Sequence, residues 1–147
     1  MVRWLLVLIA FPQASLGQDL EFNFSYNEIA GGTGEQILIK GNRLLYLEWE
    51  NFGQPNEPVT PIWIEREFTR HEIAEIHELL DSFDVFTWLD KYNDGIGAAT
   101  TCSIYVWSLK FAVAERKESR SGMCSEPAGF AKFRSVLVGI AKGKGDT

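Results

Sequence analysis

Strict alternation of apolar and polar residues is the feature that most limits how this chain can fold. Leu20, Phe22, Phe24 and Tyr26 alternate with Glu21, Asn23, Ser25 and Asn27, the period-two pattern of a strand with one face on a core and one in water. Gly31-Gly32-Thr33-Gly34 interrupts it as a turn. Gln36 to Lys40 resumes it, and Gly41-Asn42 offers the positive φ angles of a tight reversal. Arg43 to Glu50 is the return strand, with Leu45, Leu47 and Trp49 on one side and Tyr46, Glu48 and Glu50 on the other. Trp49 is expected in the core.

Asn51 to Pro61 cannot continue a sheet, because Pro55, Pro58 and Pro61 come with Asn51, Gly53 and Asn56. Ile62 to Phe68 reads as another strand, in which Arg66 falls out of step on the apolar face. Thr69 and Glu72 have the spacing of a capping box, and Phe68 and Ile73 that of a hydrophobic staple. The spacing of Ile73, Ile76, Leu80 and Phe83 predicts a helix to about Phe83. Asp84 to Asp94 reads as a loop pinned by Phe86 and Trp88. Thr101 to Val113 and Lys117 to Met123 form a hairpin around Glu115. A second helix starts near Ser125 to Pro127 with Phe130, Phe133, Leu137 and Ile140 as its stripe, and Lys142 and Lys144 lie beyond its end, where the dipole favours cations. This order implies an α+β fold, an antiparallel sheet of about five or six strands with two helices packed on one face.

The first residues set the compartment. Arg3, the apolar run Trp4 to Phe11 and the short segment Pro12 to Gly17 follow the order of a cleavable signal peptide over 1–17, with cleavage before Gln18. The rival readings, a membrane anchor or a buried first strand, compete with it, but spanning a bilayer takes about 20 apolar residues. The expectation is a secreted or periplasmic protein, one domain over 18–141 and a flexible tail over 142–147, with no membrane association after cleavage. The formal charge of the whole chain is −6, and loss of Arg3 makes the remainder more acidic. Such a surface repels a phosphate backbone, so nucleic acid is not an expected partner.

In an exported protein the pair Cys102 and Cys124 reads as a disulfide, closing a loop of about 20 residues for about 3 kcal/mol. The alternative makes Cys124 a nucleophile ahead of the last helix. His71-Glu72 and His77 resemble part of a metalloprotease motif, but histidines six apart sit about 240° around a helix and cannot share a metal. His77 and Asp81 have i, i+4 spacing and read as a solvated flank. Asp90, Asp94 and Gly95 match three positions of a calcium loop whose remaining positions, Tyr92 and Thr101 among them, do not fit. Gly31 to Gly34 has no Lys-Ser or Lys-Thr after it, so it is not a phosphate loop. No cofactor or metal is implied. Trp63, flanked by Glu65 and Glu67 on its own face, is the tryptophan expected at the surface, where aromatic platforms suit sugars or protein interfaces. Asn23-Phe24-Ser25 is a glycosylation sequon, relevant in a eukaryotic host.

The run Phe68-Thr69, Leu79-Leu80, Phe83-Asp84, Phe86, Trp88 and Tyr92 resembles small exported bacterial domains in which a strand, an acidic helix and a tyrosine loop precede a hairpin and a last helix. Over residues 20 to 141 the layout is similar to that of emfourins, inhibitors of thermolysin-like metalloproteases. No functional residue is carried over from that resemblance. The first reading of the residues themselves is a non-enzymatic exported binding module with a protein as partner, a protease inhibitor being one form, using Asn51, Pro55 and Pro58 of the proline loop, or Trp63 and the outer sheet face. The alternatives are a small secreted hydrolase built on His77 with Asp81 or Cys124, and a carbohydrate-binding module built on Trp63.

Overall fold

The computed structural model describes residues 20–29, 31–50, 61–93, 104–113 and 115–143. The leader, the proline loop with Asn51, Pro55 and Pro58, the Asp94-Gly95 turn and Cys102 lie outside the described residues. The elements are β1 (Glu21–Glu28), β2 (Thr33–Lys40), β3 (Arg43–Trp49), β4 (Ile62–Glu67), α1 (Arg70–Ser82), a 3-10 turn (Val85–Thr87), β5 (Lys91–Asn93), β6 (Tyr105–Val113), β7 (Arg116–Met123) and α2 (Phe130–Ala141). The strands form one sheet in the order β4-β3-β2-β1-β6-β7-β5. The chain is α+β, with a mostly antiparallel sheet and two helices.

The sheet departs from expectation in two ways. It has seven strands among the described residues, not five or six, and the extra one, β5, runs parallel to β7 with Lys91 opposite Ser121. Three residues are too few to display an alternation. What holds them is tertiary: Ser121 N–H donates to the Asp90 carbonyl at 3.0 Å, and the buried Arg120 reaches Asp90 at 3.2 Å and the Phe86 carbonyl at 3.3 Å. The segment read as a loop therefore carries a 3-10 turn and a strand. Its turn adds to the helical layer, and Val85 and Trp88 enter the core as the helices do.

The face of β3 is also inverted relative to expectation. Leu44 and Tyr46 are buried, while Leu45, Leu47 and Trp49 point to the other side and are half-buried. Apolar residues occupy both parities of this strand, so its pattern cannot choose a side. Pairing chooses it, because Leu44 lies opposite Ile39 and Tyr46 opposite Ile37, and a one-residue slip would exchange the two faces. Trp49 is thus not a core residue. It lies flat over Gly34, where an added Cβ would meet its ring at 2.3 Å.

Alternate positions of β1, β2, β3 and β6 meet α1 and α2 in one cluster. At its centre is an aromatic set, with Trp107 and Phe130 ring centres 4.6 Å apart and Trp88 and Phe133 edge-to-face at 5.2 Å. Gly122 opposes Trp107 across the hairpin, and a Cβ there would come within 2.3 Å of the indole nitrogen and of the Ser125 carbonyl. That carbonyl accepts the Trp107 indole N–H at 2.9 Å. Because Ser125 is held in this way and Gly129 adopts φ 80°, α2 begins at Phe130, later than the Ser125 to Pro127 start expected.

The capping box forms as the spacing predicts: Thr69 Oγ1 accepts from Glu72 N–H at 3.2 Å, and Glu72 Oε2 accepts from Thr69 N–H at 2.8 Å. Arg66, the residue out of step, is the link between the helices. Its guanidinium pairs with Glu72 at 2.6 Å and donates to the Ile140 carbonyl at 2.8 Å and to the Ala141 carbonyl at 3.4 Å. The cation expected from Lys142 or Lys144 at the end of α2 is thus supplied by β4. Lys142 instead pairs with Glu48 at 2.8 Å, and Gly143, at φ 70°, completes the cap two residues into the segment expected to be a tail.

Candidate binding face

Registers of the sheet place four cross-strand rows on the side away from the buried cluster. The first holds Glu67, Arg43, Lys40, Glu21, Ala112 and Lys117. Below it come Glu65, Leu45, Leu38, Asn23, Lys110 and Ser119. The third row is Trp63, Leu47, Gln36, Ser25, Ser108 and Ser121. The last is Trp49, Gly34, Asn27, Val106 and Met123.

Three surfaces result. Leu38, Leu45, Leu47, Trp49 and Trp63 form an apolar zone over β2, β3 and β4, with Leu38 38% and Trp63 59% exposed. The centre is a ladder of short polar groups: the Ser25 and Ser108 hydroxyls share a hydrogen bond at 2.9 Å, and Gln36 donates to Asn23 at 3.4 Å. Lys40, Lys110 and Lys117 rim a shallow concavity of about 590 Å³ over β2, β1, β6 and β7. A second depression of about 420 Å³ lies at the other end against Trp49 and Thr33. No other described element covers this face, although a sheet that is half-buried normally hides its apolar side.

Trp63 is exposed on this face, where the sequence placed it. Leu45, Leu47, Lys40, Lys110 and Lys117 were not recognised as surface residues of one site. The available signal was the excess of apolar residues in β3, more than one buried face can hold.

Several charged groups around the core are committed to structure. Arg134 of α2 pairs with the buried Glu35 and lies over the Tyr26 ring at 3.5 Å from its centre. Burial works against the Arg134 charge, but the bond to Glu35 outweighs it and the pKa rises. Burial also pushes Tyr26 up to about 12, opposed by Arg134 and assisted by Glu28. Burial and the hydrogen bond to Glu48 at 2.6 Å push Tyr46 up. Glu48 is held below the usual carboxylate range by hydrogen bonds from Lys142 and Tyr46.

His71 and Glu75 approach to 3.7 Å on an exposed turn of α1, and His77 is half-buried on its flank. Among the described residues, no three His, Cys, Asp or Glu side chains converge as a metal would require. Asp90 serves Arg120. Cys124, at φ 54°, opens the strap after β7, and its expected partner Cys102 is outside the described residues. No described helix is long and apolar enough to cross a membrane. No protein-family model matches this chain, and no curated protein matches it in sequence.

Proposed function

We propose that this chain is an exported, non-enzymatic binding module that takes a protein partner on the open face of its sheet. The observation that carries the reading is the apolar zone from Leu38 to Trp63, continuous across three strands and left uncovered by every described element. Aromatic and aliphatic side chains concentrated at the middle of a surface are what interface centres use, and large exposed patches mark interaction sites. Protease inhibition of the emfourin type is one form of this function.

Export rests on the leader at 1–17, and the exported state carries the proposal of a Cys102–Cys124 disulfide. Intact mass with and without reduction tests that bond, and a freely alkylatable thiol without reduction would reject it. The binding reading is tested by affinity capture from the native secretome, comparing the wild-type protein with Leu47→Asp and Trp63→Ser. We expect a partner retained by the first and lost by both variants. Equal capture by all three proteins removes the open face from the interaction.

A carbohydrate-binding reading is favoured by one feature, the alignment of Trp63 with Gln36, Ser25, Ser108 and Ser121 in a single row. An aromatic platform beside a ladder of hydroxyls and amides suits a sugar ring. Quenching or enhancement of tryptophan fluorescence by an oligosaccharide panel, abolished in Trp63→Ser, would replace the protein partner with a glycan.

A further inference from the structure

We infer that the partner presents an acidic, amphipathic segment, whose carboxylates meet Lys40, Lys110 and Lys117 and whose apolar side chains settle on Leu38 and Leu45. This rests on the binding-module reading and specifies the chemistry of what is bound.

The first observation is how cations are distributed. Arg43, Arg66, Arg116, Arg120, Arg134 and Lys142 are each matched with a carboxylate. Among the described residues Lys40, Lys110 and Lys117 are not in an ion pair, and the register gathers all three around one concavity. Of the other unmatched cations, Arg70 and Lys132 are on α1 and α2, and Lys91 lies on the edge strand β5 opposite Ser121, outside the concavity. One carboxylate of the same row, Glu21, stands opposite Lys40 and lines the concavity with the lysines. Glu118 at the rim is engaged by Arg116 and Arg120, whose hydrogen bonds hold its pKa below the usual range. In a chain of net charge −6, this is a local reversal of sign.

The second observation is spacing. Lys40 and Lys117 lie on strands three intervals apart, about 14 Å at the usual strand separation, with Lys110 one row below. An elongated chain of carboxylates matches that set better than a compact anion. The third is composition: Ala112 lies between Lys40 and Lys117 in their row, Leu38 lies beside Lys40 on β2, and Leu45 adjoins Leu38 on β3. A sulfated polysaccharide has no aliphatic side chains to cover them, whereas an extended peptide whose acidic and apolar residues both fall at positions i, i+2 and i+4 places both kinds on one side. Complementary charge steers such a segment onto the face, and the leucines hold it there.

Titration of the isotope-labelled protein by nuclear magnetic resonance tests this with three probes: a synthetic peptide of Glu-Ser-Leu-Ser repeats, which puts glutamate and leucine on one side of an extended chain, its glutamine analogue, and a heparin oligosaccharide. We expect the acidic peptide to shift amide signals around Lys40, Lys110 and Lys117. Binding should weaken by about tenfold or more in the glutamine analogue and in K40E/K110E/K117E. The lysine-to-glutamine triple variant, with circular dichroism unchanged, separates lost charge from lost fold. Absence of shifts, or affinity unchanged by charge reversal, overturns the inference. So does tighter binding of the heparin oligosaccharide. A secretome partner captured by K40E/K110E/K117E but not by Trp63→Ser overturns the acidic segment while leaving the binding module standing. A partner indifferent to both overturns the two together.

Discussion

Arg66 illustrates how much a single misplaced letter can hold. It interrupts the apolar parity of β4, and the structure uses it to join the capping box of α1 to the last carbonyls of α2. Arg66→Ala removes the guanidinium from these carbonyls and from Glu72, which keeps only the Thr69 N–H, and we expect a loss of about 2–3 kcal/mol in urea unfolding. Arg66→Lys should recover only part, because an ammonium cannot fork across two helices. Tyr26 gives a second residue-scale prediction. Burial, opposed by Arg134, raises its pKa from 10.0 to about 12 in the folded state. The unfolded phenol therefore ionises first as pH rises, and the stability linked to the bound proton is full below pH 10.0 and lost on the way to about 12. Alkaline unfolding followed by circular dichroism should begin in that window and be blunted in Tyr26→Phe.

At the scale of elements, the hairpin of β6 and β7 depends on closeness as much as on pattern. Gly122 has no space for a Cβ between Trp107 and the Ser125 carbonyl, and backbone on one side prevents the clash from being relieved by a rotamer. We expect Gly122→Ala to cost about 1–3 kcal/mol, with a changed tryptophan emission as Trp107 loses its indole hydrogen bond. Elements whose own residues determine them were legible. The box of Thr69 and Glu72 starts α1, and the alternation from Phe22 to Tyr26 places β1 face-down. β5 and the 3-10 turn were not, since Arg120 and the Ser121 N–H impose them from a strand far along the chain. The choice of face for β3 was also invisible, because a strand apolar at both parities takes its side from its neighbour's register.

For the molecule as a whole, acid should be the damaging direction. Hydrogen bonds from Lys142 and Tyr46 lower Glu48, and those from Arg116 and Arg120 lower Glu118. Burial raises Glu72, but the bonds from Arg66 and Thr69 outweigh it and leave it lowered too. Each contributes stability that is present above the ordinary value of 4.5 and lost as pH falls through the lower folded value. Thermal midpoints should accordingly drop on acidification below that value, and Glu48→Gln, less stable near neutrality, should lose less over the same interval. The α+β class and the strand and helix order followed from local chemistry: alternation, capping spacing, glycine turns and helical stripes all act between residues close in the chain. The exposure expected of Trp63 came from its charged neighbours in the same way. The open face, with its leucines beside Trp63 and its three lysines on three different strands, was decided by pairing between segments tens of residues apart. Register alone brings those side chains together, and no interaction within any one strand encodes it.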